Sequence, residues 1–487
     1  MEVGLMQSNS FIFSFKVFFK RIFLLVMLAI CVTFVFYRYT KITQYSRTDF
    51  FDFYRKIDQE TVDVLCVGSS HVYNGINPVQ MWDEYGIAAY DLACGSQAVW
   101  FSYYYIKEAL KTQHPEVVIL DVYTLRSADE DFDSKIQANL LNLPISYNKW
   151  EALKTAGADN KIELFFQFPI FHSRYGSLSR YDFDLDFNGN VRFLGYRYTD
   201  DIVPYDDGSV MDVGWVKECE PISPKAEEYL RKSIELCQKN DIGIILTNTP
   251  WPDITETEQK KYNYVQTIAD EYGVIFLNGC LFNDEIGMDY AVDSMGDGGH
   301  LNHAGVTKYT RWLTERIQEM YDLPDRSMDE RWAEWQRQSD ILKSVMRRNK
   351  LTQIDEVEEY LKCIENEPNI YYVVTLNGSL QDGGMNRSRV LNALENRGIE
   401  TEQNGVYVMN CQNQLLKANG TGYNWWHYFG DSVLNIYERE GVPVICWDKW
   451  ECGLVNKGIN VVVYDELLDE VIGRIGFDAE KGYEMQK

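Results

Sequence analysis

The feature that most constrains the fold is a run of branched apolar residues that ends abruptly in a glycine-serine turn. The run spans residues 62–68 and closes on Gly68, and Ser-Ser-His follows directly at 69–71. Such a run is typical of a strand buried on both faces of a parallel sheet. Asn-Pro at 77–78 then opens a helical pattern. We therefore expect a strand, a tight turn and a helix, with the turn at a strand end where open α/β sheets bind ligands.

The same alternation of strand and helix recurs further along the chain. Strands are expected at 87–93, 117–122, 242–247 and 274–277, and helices at 99–111, 226–240, 256–272 and 305–320. Alternation of this kind predicts parallel α/β units. Residues from about 126 to 224 interrupt it with aromatic and acidic sequence. We interpret them as an insertion that shapes a substrate site or serves as a structural appendage.

The chain divides into four predicted segments. Residues 1–41 form a cytoplasmic tail and membrane anchor, and residues 42–322 form the α/β domain with its insertion. Residues 323–365 are highly charged and predict a helical linker. From residue 366 to 487, short strand patterns and one helix pattern predict an α+β, β-rich module.

The N-terminal segment predicts the compartment. Residues 22–37 carry no charge, and Lys16, Lys20 and Arg21 precede them. The apolar stretch is short but, with its aromatic flanks, sufficient for one transmembrane helix. The preceding cations favour a cytoplasmic N-terminus. We expect an uncleaved signal anchor rather than a cleaved signal peptide, because no small-x-small cleavage site follows. The remainder would then lie outside the cytoplasmic membrane.

Composition removes some classes of partner. The net charge is −26, with 73 acidic and 47 basic residues, which argues against nucleic acid because phosphate binding needs a basic surface. None of the ten cysteines forms a C-x-x-C pair. A disulfide in the second half, for example between Cys446 and Cys452, is compatible with the sequence, which assigns no pair by itself.

Three loop residues carry the predicted chemistry. Ser70 follows the first strand, and Asp297 and His300 lie three residues apart on a glycine-containing loop after the last strand. A serine needs a base to take its proton, and a histidine acts well as that base when a carboxylate orients it. We therefore interpret Ser70 as nucleophile, His300 as base and Asp297 as the orienting group. An alternative is a metal site built from His300 and His303 with a neighbouring aspartate, but no metal or cofactor is expected.

These residues resemble the blocks of the SGNH/GDSL hydrolase superfamily over about residues 60–322. Gly68-Ser69-Ser70 resembles the first block, Gly95 the second, and the Asp-x-x-His of 297–300 the last. The resemblance implies a three-layer α/β fold with a parallel sheet, with Ser70, His300 and Asp297 catalytic. It also implies an oxyanion hole formed by the N–H groups of Ser70 and Gly95.

The sequence departs from this family in the third block. The family has an oxyanion-donating Asn after the third strand, whereas this chain has Asp-Val-Tyr-Thr at 121–124. Thr124, Tyr123 or a backbone group must then replace that donor. The Gly-Ser-Ser turn, the anchor and the missing Asn resemble the membrane-anchored acyl-transfer branch. That branch implies an acyl ester of a cell-surface polysaccharide as substrate and a membrane-bound O-acyltransferase as partner.

The last module resembles the interleukin-like EMT inducer (PANDER-like) domain. The most specific match is Gly-Ile-Asn-Val-Val-Val-Tyr-Asp at 458–465. The resemblance implies a β-rich, sandwich-like fold that binds carbohydrate. Trp425 and Trp426 could stack on sugar rings there, although aromatic clusters are more often part of a core.

Together these patterns predict a membrane-anchored, extracytoplasmic serine esterase or O-acyltransferase that acts on a cell-surface polysaccharide. His71, Tyr123 and Arg126 are further candidates for substrate contact, Arg126 for an anionic glycan. The alternative is a catalytically inactive glycan-binding or scaffold protein in surface-polymer modification.

Overall fold

The computed structural model describes residues 2–39, 50–166, 176–177, 192–205, 212–378, 384–402, 404–419, 424–429 and 432–487. Parts of the predicted insertion, and residues 42–49 at the start of the predicted α/β domain, lie outside these ranges. The chain divides into two compact units, Met1–Gln338 and Ser339–Lys487. The four predicted segment boundaries stay predictions.

The elements of the described chain are as follows. The strands are β1 (Val64–Gly68), β2 (Ala89–Ala93), β3 (Val117–Asp121), β4 (Arg192–Phe193), β5 (Tyr196–Arg197), β6 (Gly243–Asn248), β7 (Ile275–Asn278), β8 (Ile370–Asn377), β9 (Gly405–Asn410), β10 (Leu415–Asn419), β11 (Asn424–Phe429), β12 (Ser432–Arg439), β13 (Val442–Trp447), β14 (Trp450–Glu451), β15 (Gly458–Asp465), β16 (Glu470–Asp478) and β17 (Met485–Gln486). The helices are α1 (Glu2–Tyr39), α2 (Phe50–Arg55), α3 (Ser70–Tyr73), α4 (Pro78–Tyr85), α5 (Val99–Ala109), α6 (Ile136–Leu141), α7 (Tyr147–Thr155), α8 (Lys161–Phe166), α9 (Pro224–Lys239), α10 (Glu256–Tyr272), α11 (Asn283–Ile286), α12 (His303–Met320), α13 (Ala333–Gln353), α14 (Val357–Lys362) and α15 (Gly384–Glu395).

The first unit is built on a five-stranded parallel sheet with the order β2-β1-β3-β6-β7. Every residue of β1, β2 and β3 is buried, which is the burial that parallel strands covered on both faces require. The chain leaves β1 towards β2 and then returns to the other side of β1 to form β3. This reversal opens a crevice at the carboxyl ends of the strands, the usual place for a ligand in such a sheet.

Two asparagines fix the starts of α4 and α12, two helices that contact each other. The Asn77 side chain accepts hydrogen bonds from the N–H groups of Val79 and Gln80 and so begins α4, with Pro78 in the first turn. The Asn302 side chain caps α12 in the same way. The expected helix after residue 77 is therefore confirmed. The one at 305–320 begins two residues earlier than predicted, because the cap lies at Asn302.

The second unit contains a six-stranded sheet, β10-β9-β8-β15-β16-β17, and a four-stranded sheet, β11-β12-β13-β14, in which every pair is antiparallel. Alternate residues of β8 enter different cores. Val373 packs with Leu434 and Trp447 of the smaller sheet, whereas Val374 packs with Leu394 of α15. The period of two thus places the smaller sheet on one face of the larger sheet and helices on the other.

The N-terminal helix α1 contains the apolar segment Phe15–Val35, with a mean hydropathy of 2.3 and none of its window buried. Its length and composition are sufficient to cross a membrane. The predicted fold class is confirmed: a parallel α/β sheet, an antiparallel β-rich C-terminal part and one N-terminal apolar helix.

The disulfide suggested for the second half is wrong. All ten cysteines are free thiols in the structure. Cys446 pairs with Glu451 in the β13–β14 ladder, and Cys452 hydrogen-bonds through its N–H to Ile445. Cys452 therefore lies on the face of Ile445, and Cys446 lies on the opposite face because successive strand residues alternate.

Candidate active site

The ends of the parallel strands bring together residues that are far apart in the sequence. Ser70 begins α3 directly after β1, Gly95 follows β2, and Tyr123 follows β3. His300 lies on the loop that precedes α12. Because carboxyl ends of parallel strands share one edge of the sheet, these positions converge there.

Ser70, His300 and Asp297 form a continuous hydrogen-bonded chain. The Ser70 Oγ lies 2.8 Å from His300 Nε2, and His300 Nδ1 lies 2.6 Å from Asp297 Oδ2. Because a carboxylate only accepts, Nδ1 carries the imidazole proton and Nε2 accepts the Ser70 hydroxyl. This arrangement can take a proton from Ser70 when the hydroxyl attacks an electrophile.

The loop at 295–300 holds this geometry by its own backbone bonds. The N–H of Met295 donates to the carbonyl oxygen of His300 at 3.1 Å, which closes the loop. Asp297 Oδ1 accepts from the N–H groups of Gly299 and His300 at 3.0 and 2.9 Å. Gly298 has a φ of +70°, a left-handed conformation that favours glycine. The sequence Asp-Gly-Gly-His therefore orients the imidazole locally.

The charge state and the exposure of the pair suit a reaction at the surface. Burial by itself raises the pKa of Asp297, but hydrogen bonds from the His300 ring and from the Gly299 N–H outweigh it, so the pKa lies below the usual range. The side chain of His300 is 25% exposed and that of Asp297 47% exposed. An acceptor molecule can therefore reach His300 from solvent.

The turn that carries Ser70 is fixed from below by Asp121. Oδ2 of Asp121 accepts from the N–H of Ser69 at 3.0 Å and from its hydroxyl at 2.7 Å. The Ser69 Oγ in turn accepts the N–H of His71. Burial raises the pKa of Asp121, and the two Ser69 donors oppose this shift. Ser69, which stands where the resembling family has Asp, thus ties the turn to the end of β3.

His71, Tyr123 and Arg126 form a packed group beside the triad. The His71 ring stacks on Tyr123 with 3.4 Å between centroids and lies 5.2 Å from the His300 ring. His71 is buried, and neither ring nitrogen has a hydrogen-bond partner among the described residues. Burial lowers the pKa of His71, with His300 and Arg126 as further causes, so the ring is neutral. Arg126 hydrogen-bonds to the Tyr123 hydroxyl and forms an ion pair with Glu258.

Of the predicted oxyanion donors, Ser70 and Gly95 follow neighbouring strands, whereas the Thr124 hydroxyl is engaged elsewhere. Ser70 N–H lies in the first turn of α3, where helical N–H groups have no partner within the helix. Gly95 follows the neighbouring strand β2, whose last residue Ala93 pairs with Gly68. The structure does not bring the Thr124 hydroxyl to this group, because Thr124 is buried and its Oγ1 donates to the carbonyl oxygen of Gln97 at 3.1 Å.

Tyr73 is the residue at this site that sequence reasoning missed. It follows Ser70 by three residues in α3, and hydrogen bonding to the Ser70 side chain is among the influences on its hydroxyl. The signal in the sequence is this spacing of three, which places two side chains on one face of a helix. The pattern after Gly68 predicted only a turn, and a turn gives no such relation.

His303 lies apart from the triad. Its Nδ1 is 2.9 Å from the Tyr196 hydroxyl, and its ring meets Tyr198 edge to face. Among the residues that the structure describes, no group of three or more His, Cys, Asp or Glu side chains is arranged to hold a metal ion.

The second unit has an aromatic cleft of about 670 Å³. Trp425 and His427 line it with parallel rings, 5.8 Å between centroids and 5° between planes. The polar residues Asn410, Gln412 and Glu466 also line it. Trp426 does not line this cleft. It is largely exposed and contacts Tyr428.

The first unit is thus a parallel α/β domain with a Ser–His–Asp chain at its strand ends. No family model matches this chain, and no curated protein sequence matches it. Among solved structures, an acetylxylan esterase from Geobacillus stearothermophilus is similar at 14% identity and a TM-score of 0.28, covering 54% of this chain and 96% of that one. A protein from Desulfitobacterium hafniense assigned to the G-D-S-L family of lipolytic proteins is similar at 11% identity and a TM-score of 0.27, covering 52% and 97%.

Proposed function

We propose that this protein is a membrane-anchored serine esterase or O-acyltransferase of SGNH type that acts on acyl esters of a cell-surface polysaccharide. The observation that carries the proposal is the hydrogen-bonded chain from Ser70 through His300 to Asp297. An acyl ester fits because its carbonyl carbon is open to a hydroxyl nucleophile, and the N–H groups of Ser70 and Gly95 would hold its oxygen.

The reaction follows from this proton path. Ser70 Oγ bonds to the carbonyl carbon while its proton passes to His300 Nε2, and the π electron pair moves to the carbonyl oxygen. The intermediate collapses, the bond to the leaving alkoxy oxygen breaks, and that oxygen takes the proton from His300. Asp297 stabilises the imidazolium and keeps its own negative charge throughout. An acyl group then remains on Ser70.

The acceptor decides between the two activities. The incoming hydroxyl gives its proton to His300 Nε2 while its oxygen bonds to the acyl carbon. The bond from that carbon to Ser70 Oγ then breaks, and Ser70 takes the proton back from His300. Water gives an esterase, and a sugar hydroxyl gives transfer to a glycan. The partly exposed imidazole is open to either acceptor. In the transfer case, a membrane-bound O-acyltransferase would be the partner that supplies acyl groups.

A serine-directed fluorophosphonate tests the nucleophile in the full-length chain, purified in detergent. We expect a covalent adduct on Ser70 by mass spectrometry and turnover of p-nitrophenyl acetate. Ser70→Ala should lose both, whereas Ser327→Ala, which changes an exposed serine, should lose neither. A folded wild-type chain without adduct and without turnover would favour the catalytically inactive glycan-binding protein.

The second unit supports a separate proposal of carbohydrate binding. Parallel aromatic rings offer a flat apolar surface to a sugar ring, and Asn410, Gln412 and Glu466 offer hydrogen bonds to hydroxyl groups. We expect the full-length chain to bind oligosaccharides on a glycan array and Trp425→Ala to lose this binding. Trp450→Ala removes a tryptophan that is 79% exposed and lies outside the cleft, so this variant should still bind the oligosaccharides. If the wild type and Trp450→Ala both fail to bind, the proposal is contradicted.

A further inference from the structure

The hydroxyl of Tyr73 lies close to Gly95, one of the two positions proposed to form the oxyanion hole. A Cβ atom added to Gly95 would be 3.5 Å from the Tyr73 hydroxyl oxygen. Ser70 lies three residues before Tyr73 in α3, and its side chain is among the influences on the pKa of the Tyr73 hydroxyl. Tyr73 thus lies near Gly95 and one helical turn from Ser70, the two positions whose N–H groups form the proposed oxyanion hole.

The ring of Tyr73 is held in this orientation from outside α3. The guanidinium carbon of Arg192, on β4, lies 3.8 Å from the centroid of the Tyr73 ring. Nη1 of Arg192 also donates to the carbonyl oxygen of Ala93 at 3.3 Å. Ala93 ends β2, two residues before Gly95. Arg192 therefore ties the phenol ring to the strand end that carries Gly95, and a group held in advance loses little entropy when it binds.

The hydroxyl also keeps its proton. Burial raises the pKa of Tyr73 and outweighs the opposing influences of Arg192, Arg197 and the Ser70 side chain. The phenol is therefore a hydrogen-bond donor throughout the neutral range. A donor of this kind needs no proton exchange during catalysis.

One donor position at the site is not filled by the residue expected there. After β3 the chain carries Tyr123 and Thr124 rather than an asparagine, and the Thr124 hydroxyl is engaged with Gln97. We infer that Tyr73 is a catalytic residue that donates its phenolic hydrogen bond to the oxyanion, together with the N–H groups of Ser70 and Gly95. This inference rests on the proposed serine chemistry.

The step balances without a further reactant. When Ser70 Oγ bonds to the carbonyl carbon, the negative charge appears on the oxygen attached to that same carbon. In this proposal the Tyr73 hydroxyl, which lies near Gly95, donates to that oxygen. Tyr73 keeps its proton and strengthens its hydrogen bond as the charge grows, while His300 alone takes the proton of Ser70.

The test compares Tyr73→Phe with Tyr103→Phe in the full-length chain, using p-nitrophenyl acetate. Tyr103 is a partly buried tyrosine whose contacts are with Tyr104, Lys107 and Tyr229. We expect Tyr73→Phe to lower kcat by about 10²-fold, because one oxyanion donor is worth about that much, with KM unchanged. Tyr103→Phe should leave kcat unchanged. Replacement of Tyr73 by p-aminophenylalanine, which restores a neutral donor, should recover part of the lost rate.

The outcomes separate the inference from the function on which it rests. If the wild type takes no fluorophosphonate at Ser70 and shows no turnover, the proposed function fails and this inference fails with it. If the wild type is active and Tyr73→Phe keeps kcat within twofold, only the inference is overturned. A larger loss of kcat in Thr124→Val than in Tyr73→Phe would assign the donor to Thr124 and overturn it too. If Tyr73→Phe melts early, a p-aminophenylalanine variant with native stability decides by the rate that it retains.

Discussion

Asp297 uses its two carboxylate oxygens for different tasks. Oδ2 accepts the ring proton of His300, whereas Oδ1 accepts the backbone N–H groups of Gly299 and His300. The first task orients the base, and the second builds the loop. Asparagine at this position can keep the oxygen that builds the loop and replaces the other by an N–H₂ group.

Asp297→Asn should therefore remove activity without removing the loop. The amide N–H₂ cannot accept from Nδ1, so His300 is driven to the tautomer with its proton on Nε2, which cannot take the proton of Ser70. We expect kcat to fall by about 10⁴-fold with little change in melting temperature. Asp322→Asn, which changes an exposed aspartate, is the control. Retention of wild-type kcat by Asp297→Asn would reduce Asp297 to a loop-building residue.

Lys149 is a buried lysine whose protonation opposes folding. It is fully buried in α7, and its ammonium group donates to the carbonyl oxygen of Leu143. Burial lowers the pKa of Lys149 to about 7. The pKa in the unfolded chain is about 10.4. Between these two values the unfolded chain binds a proton that the folded chain does not, so this group makes stability rise with pH across that window.

Lys149→Met should remove this rise. Melting temperatures at pH 7, 8 and 9 should increase more steeply with pH for the wild type than for the variant. The loss of the hydrogen bond to Leu143 shifts the melting temperature of the variant by a similar amount at each pH. The effect of the titration is therefore read from the slope of melting temperature against pH. Equal slopes for the two proteins would show that Lys149 is not neutral in the folded state.

The sequence predicted the triad residues because each lies directly after a strand pattern or within a short local motif. Tyr73 was missed because its position relative to Ser70 depends on one turn of helix. Four residues are too few to predict that helix from the sequence. The interpretation of Arg126 as a glycan contact omitted Glu258, which lies 132 positions later and pairs with it. Partners so distant along the chain leave no local pattern.

At the scale of elements, the loop between Met295 and His300 tolerates substitution poorly. A Cβ atom on Gly298 would overlap the carboxylate of Asp253, and the φ of +70° disfavours any other residue. Gly287 has a similar φ of +74° but open space around its Cα. Substitutions at the two glycines therefore distinguish the effect of backbone strain, which both share, from that of a steric clash, which only Gly298 has.

Gly298→Ala should lower kcat by about 10²-fold, because a displaced loop moves His300 away from Ser70. Gly287→Ala should suffer the same strain, about 1–2 kcal/mol, and keep its activity. The measurements are kcat and the free energy of unfolding for both variants. Equal activities in the two variants would show that the loop absorbs the clash.

The parallel sheet was predictable because strands buried on both faces are continuous apolar runs, as in β1 and β3. In the second unit the apolar runs at 370–376, 406–409, 442–446, 459–463 and 471–477 predict the strands β8, β9, β13, β15 and β16. The sequence did not predict strands β10, β11 and β12. β11 carries Trp425 to Phe429, and most of these aromatic residues are exposed or half-buried, so burial gives no alternating pattern to detect. Its pairing with β12 determines the strand, and that pairing is tertiary.

For the whole molecule, α1 is the element that bears on where the α/β unit works. No described part of the chain buries its apolar segment Phe15–Val35, which leaves that segment in need of an apolar environment. We propose that the membrane supplies it and that the rest of the chain lies outside the cytoplasm, as the cations before the segment favour.

Leu25→Lys combined with Leu28→Lys should weaken this attachment. Each charge at the centre of a spanning helix costs about 2.5–3.5 kcal/mol on insertion scales. We expect the wild type to stay with membranes after alkaline carbonate extraction and the double variant to be released. Leu281→Lys, at an exposed leucine of the α/β unit, should stay with the membrane. Release of the wild type would contradict the anchor.

The order of the strands has a consequence for synthesis. Ser70 and His300 are 230 positions apart, and the contact between them needs the strands and loops on both sides of the crevice. A nascent polypeptide thus carries its serine long before the ribosome adds the matching imidazole. Any product that terminates short of residue 300 holds a hydroxyl with no base, so the chemistry waits until nearly all of the α/β unit has been translated.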